Sequence, residues 1–467
     1  MGGESRNIAV GIGGFALLLA LLAALLFGID GAPAIAQQGQ QSGGQVFLGV
    51  ASCGGTTCHG RSVPNSPEQG VVRQDEILIW QDPASAAGAH SRAFAILQEP
   101  RSRQIAQRLG IGEASSAPEC LGCHSTPAPA AQRGPRLLRS DGISCEGCHG
   151  AASGWLSGHY TAGATHQANV SRGLTALEVP QRRAAVCLDC HFGNDRDGQF
   201  VTHRLMAAGH PRISFELDLF STLQAHHDED ADYNVRKPRV SNVQMWAIGQ
   251  AMALERSLNL FSTERGREGI FPEFYFLDCH SCHRPISDNP RFDPTVEINP
   301  GRPIPAGMPP YNDENMIMLS AAARVIAPNL ARRFDASSAA FHESMGRDRA
   351  AVRAAAERLK RDASALVAAF SGATISRAQV FRIIDTITSN AVSPRLTDYA
   401  GSVQAVMATD TLLSALVANR DIAADAVQGI RADINGAYQA VRDPLLFRPR
   451  EFRASLGRAA AAIRRLR

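Results

Sequence analysis

Residues 142–150 read GISCEGCHG, and their core, two cysteines with a histidine directly behind the second, recurs along the chain. The five copies are CGGTTCH (Cys53, Cys58, His59), CLGCH (Cys120, Cys123, His124), CEGCH (Cys145, Cys148, His149), CLDCH (Cys187, Cys190, His191) and CHSCH (Cys279, Cys282, His283). All ten cysteines of the 467-residue chain are consumed by them. C-x-x-C-H is the signature of covalent c-type haem attachment: two thioethers fix the porphyrin, and the adjacent histidine meets the iron from the proximal side. Zinc knuckles and local disulfides also use paired cysteines, but neither requires a histidine behind every second one. The first motif spaces its cysteines by four residues instead of two, a wider and less common variant. The expected cofactors are five covalently attached c-type haems, with iron as the metal.

Haem of this density changes how the rest of the chain is read. Between residues 46 and 290 glycine and proline are frequent, helical runs are short and strand alternation is scarce, so the macrocycles themselves supply the core. The expected fold class is mainly α: a loop-rich multihaem cytochrome domain over 46–290, then an α-helical bundle over 313–467. Residues 291–312, most of a Pro- and Asn-rich run, read as the linker. A longer helix is predicted at 242–262, where Met245, Ile248, Met252 and Leu258 recur at helical spacing. The cysteine-free C-terminal part reads as Ala-rich amphipathic helices broken near Gly372, Pro394 and Pro444.

Fourteen histidines less the five of the motifs leave His90, His159, His166, His203, His210, His226, His227, His280 and His342. Imidazole on both faces of the iron favours the ferric state and closes the iron to substrate, so spare histidines at this density support bis-His ligation. His90 lies in an apolar stretch with Trp80, Phe94 and Leu97; His159 closely follows the third motif; His203 and His210 share the string VTHRLMAAGHP. His166 and the pair His226–His227 rank lower. His280, inside its own motif, and His342, in an Arg- and Ala-rich segment, read as surface residues.

Residues 8–27, IAVGIGGFALLLALLAALLF, form an uncharged apolar run behind Arg6, and Ala34-Ile35-Ala36 offers a small-x-small cleavage site. Residues 1–36 are therefore expected to be a signal peptide, or else an uncleaved membrane anchor, and residues 37–45 (QQGQQSGGQ) a linker. Either leader delivers the chain outside the cytoplasm, in soluble or anchored form, and the expected location is the periplasm.

Charge excludes other classes. Net charge is only +3, and of 47 basic residues just Lys237 and Lys360 are lysine, so no nucleic-acid surface is indicated. Arginine suits haem propionates, which its guanidinium meets bidentately. A cluster at the C-terminus (Arg448, Arg450, Arg453, Arg458, Arg464, Arg465, Arg467, opposed by Glu451) reads as a solvated face or a docking patch for an acidic redox partner or anionic lipid.

Together these strings resemble the multihaem c-type cytochromes related to the tetrahaem cytochrome that accepts electrons from hydroxylamine oxidoreductase. CGGTTCHG, GISCEGCHG, THQANVSRGL (165–174), CLDCHFG, VTHRLMAAGHPRISFEL (201–217) and PEFYFLDCHSCHRPI (272–286) carry the likeness, which spans about residues 46–290. The resemblance implies proximal ligands at His59, His124, His149, His191 and His283 and distal ligands at His90, His159, His203 and His210, with His166 fitting more loosely. Arg284 stands where relatives often have a second histidine, and of the adjacent pair His226 is the better match than His227. No motif has lysine as proximal ligand, as related nitrite reductases do at their catalytic haem.

The expected function is electron carriage through five mostly bis-His haems between redox partner proteins. The alternative is an oxidoreductase in which one five-coordinate haem acts on a small nitrogen or oxygen species. The chain is expected to be a carrier rather than an enzyme.

Overall fold

Proline and polar caps punctuate this chain, and they account for where its helices begin. The computed structural model describes residues 44–467 apart from 70, 197, 213, 230–232, 234, 236, 238, 265, 267–271, 292–301, 306 and 393–397. The leader, most of the first expected linker and half of the second lie outside the described residues. Among the described residues the architecture is helical; the only β features are two isolated bridges, Phe47 with Arg133 and Leu277 with Tyr311.

The first half carries short helices: α1 Glu76–Gln81, α2 Pro100–Leu109, α3 Pro118–His124, α4 Cys145–His149, α5 Leu156–His159, α6 His166–Ser171, α7 Pro180–His191, α8 His203–Ala207 and α9 Leu217–Leu223. Pro100, Pro118 and Pro180 each open their helix, where a missing N–H costs nothing. The predicted long helix is present as α10, Asn242–Ser262, started by a capping box in which Ser241 and Gln244 satisfy each other's backbone N–H.

Seven helices follow: α11 Glu314–Ile326, α12 Pro328–Ser344, α13 Arg349–Ser371, α14 Arg377–Val392, α15 Tyr399–Ala418, α16 Gln428–Ala440 and α17 Pro449–Arg464. α13 ends before Gly372, and a short 3-10 turn starts at Pro444, as the breaker residues predict. α15 is long and apolar enough to cross a membrane by length and composition, but 83% of its apolar window is buried in this bundle, so it serves as a core helix.

One core joins the two halves. α10 is buried nearly all round (Trp246 and Phe261 are fully enclosed), which is the pattern of a central helix. It packs on α7 and α9 on one side and on α11, α13 and α15 on the other. Residues Val46–Arg467 accordingly form one compact unit. One chain of buried amides is matched inside the core: Asn315 donates to Gln250 (2.7 Å), Gln250 to Gln404 (3.2 Å) and Gln404 to the Phe215 carbonyl (3.0 Å).

The terminal arginines are less free than the sequence suggests. Arg458 pairs with Asp433 of α16 (2.8 Å) and Arg464 with Asp385 of α14 (2.5 Å), fastening α17 to its neighbours, while Arg448 pairs with Glu451 (2.6 Å) at the first turn of α17 itself. His280 and His342, read as surface residues, are 2% and 1% exposed. His280 donates Nδ1–H to the Pro444 carbonyl (3.0 Å), and His342 lies beside Asp313 under α11. Tertiary packing of the C-terminal helices, which no local pattern announces, buries both.

Candidate haem sites

Helical spacing explains how each motif presents its groups. In α3, α4 and the end of α7 the two cysteines are three residues apart and share a face, and the histidine follows on the same turn. CHSCH instead forms a 3-10 turn, capped by the Asp278 carboxylate, which accepts from the Ser281 N–H at 2.8 Å.

Each motif histidine faces one histidine from elsewhere in the chain. Ring centroids lie 6.2 Å apart for His59 and His159, 6.2 Å for His191 and His90, and 6.2 Å for His124 and His210. The remaining separations are 6.3 Å for His149 and His226 and 6.1 Å for His283 and His203. An iron midway between two imidazoles, about 2.0 Å from each nitrogen, with roughly 1.1 Å more to each ring centre, separates the centroids by about 6.2 Å. Rings in van der Waals contact would sit closer and would not repeat one distance five times. The residues present therefore fit the group that the motifs imply.

His226 takes the fifth facing position, and His166, proposed from the sequence, does not. The Nε2 of His166, the nitrogen that a ligand would offer iron, is instead bonded to Glu178 at 2.6 Å. His227 packs on His226 (5.0 Å) and faces no motif histidine.

Burial favours the neutral form in six of these rings, the form that has a lone pair to give. His149 is pushed down to about 3, chiefly by burial, and His191 to about 4 for the same reason. Burial also lowers His90, His124, His159 and His210. His59 is raised, because its Nδ1–H donates to Glu76 at 2.9 Å. Burial opposes the charge on Glu76, but the His59 bond and backbone donors outweigh it and hold the carboxyl low.

The motifs also meet one another. Cys53 and Cys145 lie close together, packed against Val50, Ile77 and Trp80. Cys123 and Cys190 also lie close together, and Gln199 reaches across both motifs, donating to the Gly122 carbonyl (2.9 Å) and the Cys190 sulfur (3.6 Å).

Several supporting residues carry no sequence signal. Glu146, between the cysteines of α4, is 3% exposed and accepts from the N–H groups of Leu48 (2.8 Å), Gly49 (2.7 Å) and Ala152 (2.7 Å). Glu273 accepts from His203 N–H (2.7 Å) and Tyr275 N–H (2.6 Å), fixing the start of α8. Arg256 joins α10 to Asp189 of the fourth motif at 2.7 Å.

The family described as cytochrome c554 and c-prime matches residues 75–150. No curated protein and no solved structure matches the chain significantly. The matched segment runs from α1 through His90 and the second and third motifs to the end of α4. It holds Cys120, Cys123, His124, Cys145, Cys148 and His149 together with His90, and over these residues the chain is similar to the c-type cytochromes of the cytochrome c554 family.

Proposed function

We propose that the protein is an exported electron carrier that holds five haems, all six-coordinate through histidine pairs. A c-type cytochrome exchanges electrons with redox partner proteins, and c-type cytochromes are generally exported, which agrees with the apolar leader at residues 8–27. The observation that carries the reading is the fivefold repeat of a 6.1–6.3 Å separation between a motif histidine and a distant one.

Cys53 and Cys58, Cys120 and Cys123, Cys145 and Cys148, Cys187 and Cys190, and Cys279 and Cys282 would form the thioethers. The pairs His59–His159, His124–His210, His149–His226, His191–His90 and His283–His203 would hold iron. Haem bound there supplies one-electron Fe(III)/Fe(II) chemistry. The chain's own part is to fix the spacing, exclude water and set each site's electron affinity by ligand orientation and burial. Close approach of the first motif to the third, and of the second to the fourth, brings sites near enough for rapid exchange. The enzyme reading lacks support from this geometry, because every motif histidine has a facing ring.

The deciding experiment is haem content together with the dithionite-reduced spectrum before and after carbon monoxide. Five haems per chain and an unchanged spectrum are expected; a change worth about one haem in five would reveal an open iron and overturn the assignment. Ferric resonance adds a second check. Each imidazole raises the one iron d orbital that lies in its π plane. Parallel rings therefore split the orbital pair, whereas crossed rings keep it nearly degenerate. The interplanar angles are 21° and 33° for His59–His159 and His203–His283, against 78°, 85° and 85° for the other three. Two rhombic and three strongly axial low-spin signals are expected.

A further inference from the structure

Ten rings make up the five facing pairs, and what stands behind them differs. His124, His210 and His226 direct Nδ1 at backbone carbonyls: Ala93 at 2.8 Å, Pro211 at 2.7 Å and Gln224 at 3.0 Å. His191 is at one extreme: its Nδ1 is buried with no acceptor among the described residues, and its ring is walled by Phe215 (4.9 Å) and Phe220 (5.3 Å). His59 is at the other. Among the described residues Glu76 is the one carboxylate that meets any of the ten rings, Oε2 lying 2.9 Å from His59 Nδ1.

This contact is built into the fold. Glu76 is the first residue of α1, where the helix N-terminus favours an anionic side chain. The same helix start donates the Ile77 N–H to the His59 carbonyl at 3.1 Å, so α1 grips the motif histidine at both its backbone and its ring. Ile77 and Trp80 bury the other side of that turn, and Glu76 itself is 8% exposed. A second acceptor position is held as well, since the Gln74 N–H reaches Oε1 at 3.3 Å.

We propose that Glu76 is a positioning residue that makes His59 the strongest donor of the set and its iron site the hardest of the five to reduce. The inference rests on the bis-histidine reading above. A carboxylate accepting Nδ1–H draws the proton away from the ring and pushes electron density towards Nε2, as carboxylate–histidine pairs do behind other metals. Greater density at the ligating nitrogen stabilises Fe(III) over Fe(II), so one electron from an external donor is accepted less readily there. The His191 site, with neither carboxylate nor carbonyl behind that ring and an apolar wall around it, lies at the opposite end. Direction along the array is thereby set from the hydrogen bonds: electrons settle away from the His59 end.

The test is a redox titration of the full holoprotein, followed optically and by ferric resonance. In the native protein the last ferric signal lost on reduction should be rhombic, because His59 and His159 are among the near-parallel pairs; an axial signal lost last overturns the proposal. Glu76→Gln keeps the hydrogen bond and removes the charge. It should shift one midpoint upwards by about tenfold in the reduction equilibrium, which is about 59 mV for one electron, and alter one rhombic signal. Asp75→Asn is the control: it removes a neighbouring buried carboxylate that pairs with Arg73 (2.9 Å) and does not touch His59. An equal shift in both variants would mean simple charge and would overturn the role of the hydrogen bond. Should Glu76→Gln load haem poorly, the order of signal loss in the native protein still decides. Fewer than five native haems, or a native spectrum sensitive to carbon monoxide, would instead refute the bis-histidine reading and this inference with it.

Discussion

Removing the His226 ring should leave the site of His149 one ligand short, whereas removing the His166 ring should leave all five sites intact. His226→Ala is expected to give a carbon monoxide-sensitive component worth about one haem in five, with the other four unchanged. His166→Ala should lose only its bond to Glu178, a pair at a half-buried site worth about 1 kcal/mol or less, and should show no new ligand binding. The contrast is physical. A motif histidine stands one residue behind its second cysteine and four behind its first (six in the first motif), so its expected role is written locally. A distal histidine is defined only by what lies across the iron, and His149 and His226 meet solely because α4 and the segment after α9 converge. Sequence pattern ranks His90, His159, His203 and His210 well for their apolar or motif-like surroundings. It has no means of separating His166 from His226, which differ in what faces them rather than in what flanks them.

At the scale of elements, the motifs are held by contacts their consensus does not contain. Glu146 is the clearest: Glu146→Ala would strand three N–H groups, two of them from the segment that crosses α4 at residues 48 and 49. At about 1–3 kcal/mol for each unsatisfied buried donor, the loss is large against a usual stability of about 5–15 kcal/mol. The expected result is a steep fall in the thermal midpoint, read by circular dichroism, with the low-spin ligation of the first and third haems lost together while both stay covalently attached. Gly122 sets a similar limit between α3 and the loop after α7. A Cβ there would lie 2.2 Å from the Gly198 carbonyl oxygen, and both partners are backbone. Gly122→Ala should cost about 3 kcal/mol, the upper part of the overpacking range, and pull the second and fourth motifs apart. Helix starts at Pro100, Pro118 and Pro180 and the long α10 are legible from local chemistry alone. Buried glutamates and inter-motif glycines are not, because each owes its place to a backbone segment distant in sequence.

For the whole molecule, composition separates a cysteine-rich half from a cysteine-free half, but folding does not. α10 lies between them, and its buried side chains Trp246, Ile248, Ala251 and Leu254 belong to the same apolar core as Leu359, Leu366 and Leu412 of the C-terminal helices. The fifth motif is gripped from that side as well. Asp278 N–H donates to the Pro310 carbonyl (2.9 Å), and His280 reaches Pro444. Arg212, beside Cys279, pairs with Glu314 at 3.4 Å. A chain ending at residue 312 would therefore expose one whole side of α10. At about 25 cal/mol for each Å² of apolar surface returned to water, a few hundred Å² already amounts to roughly 5–10 kcal/mol, comparable with the entire stability of a domain. The truncated protein should lose the site of His203 and His283 and precipitate or be degraded. If it stayed soluble with five low-spin haems and unchanged midpoints, the C-terminal helices would be an independent appendage. The shared core argues for the first outcome, and so for a bundle whose work is to complete the fifth site rather than to stand beside the array.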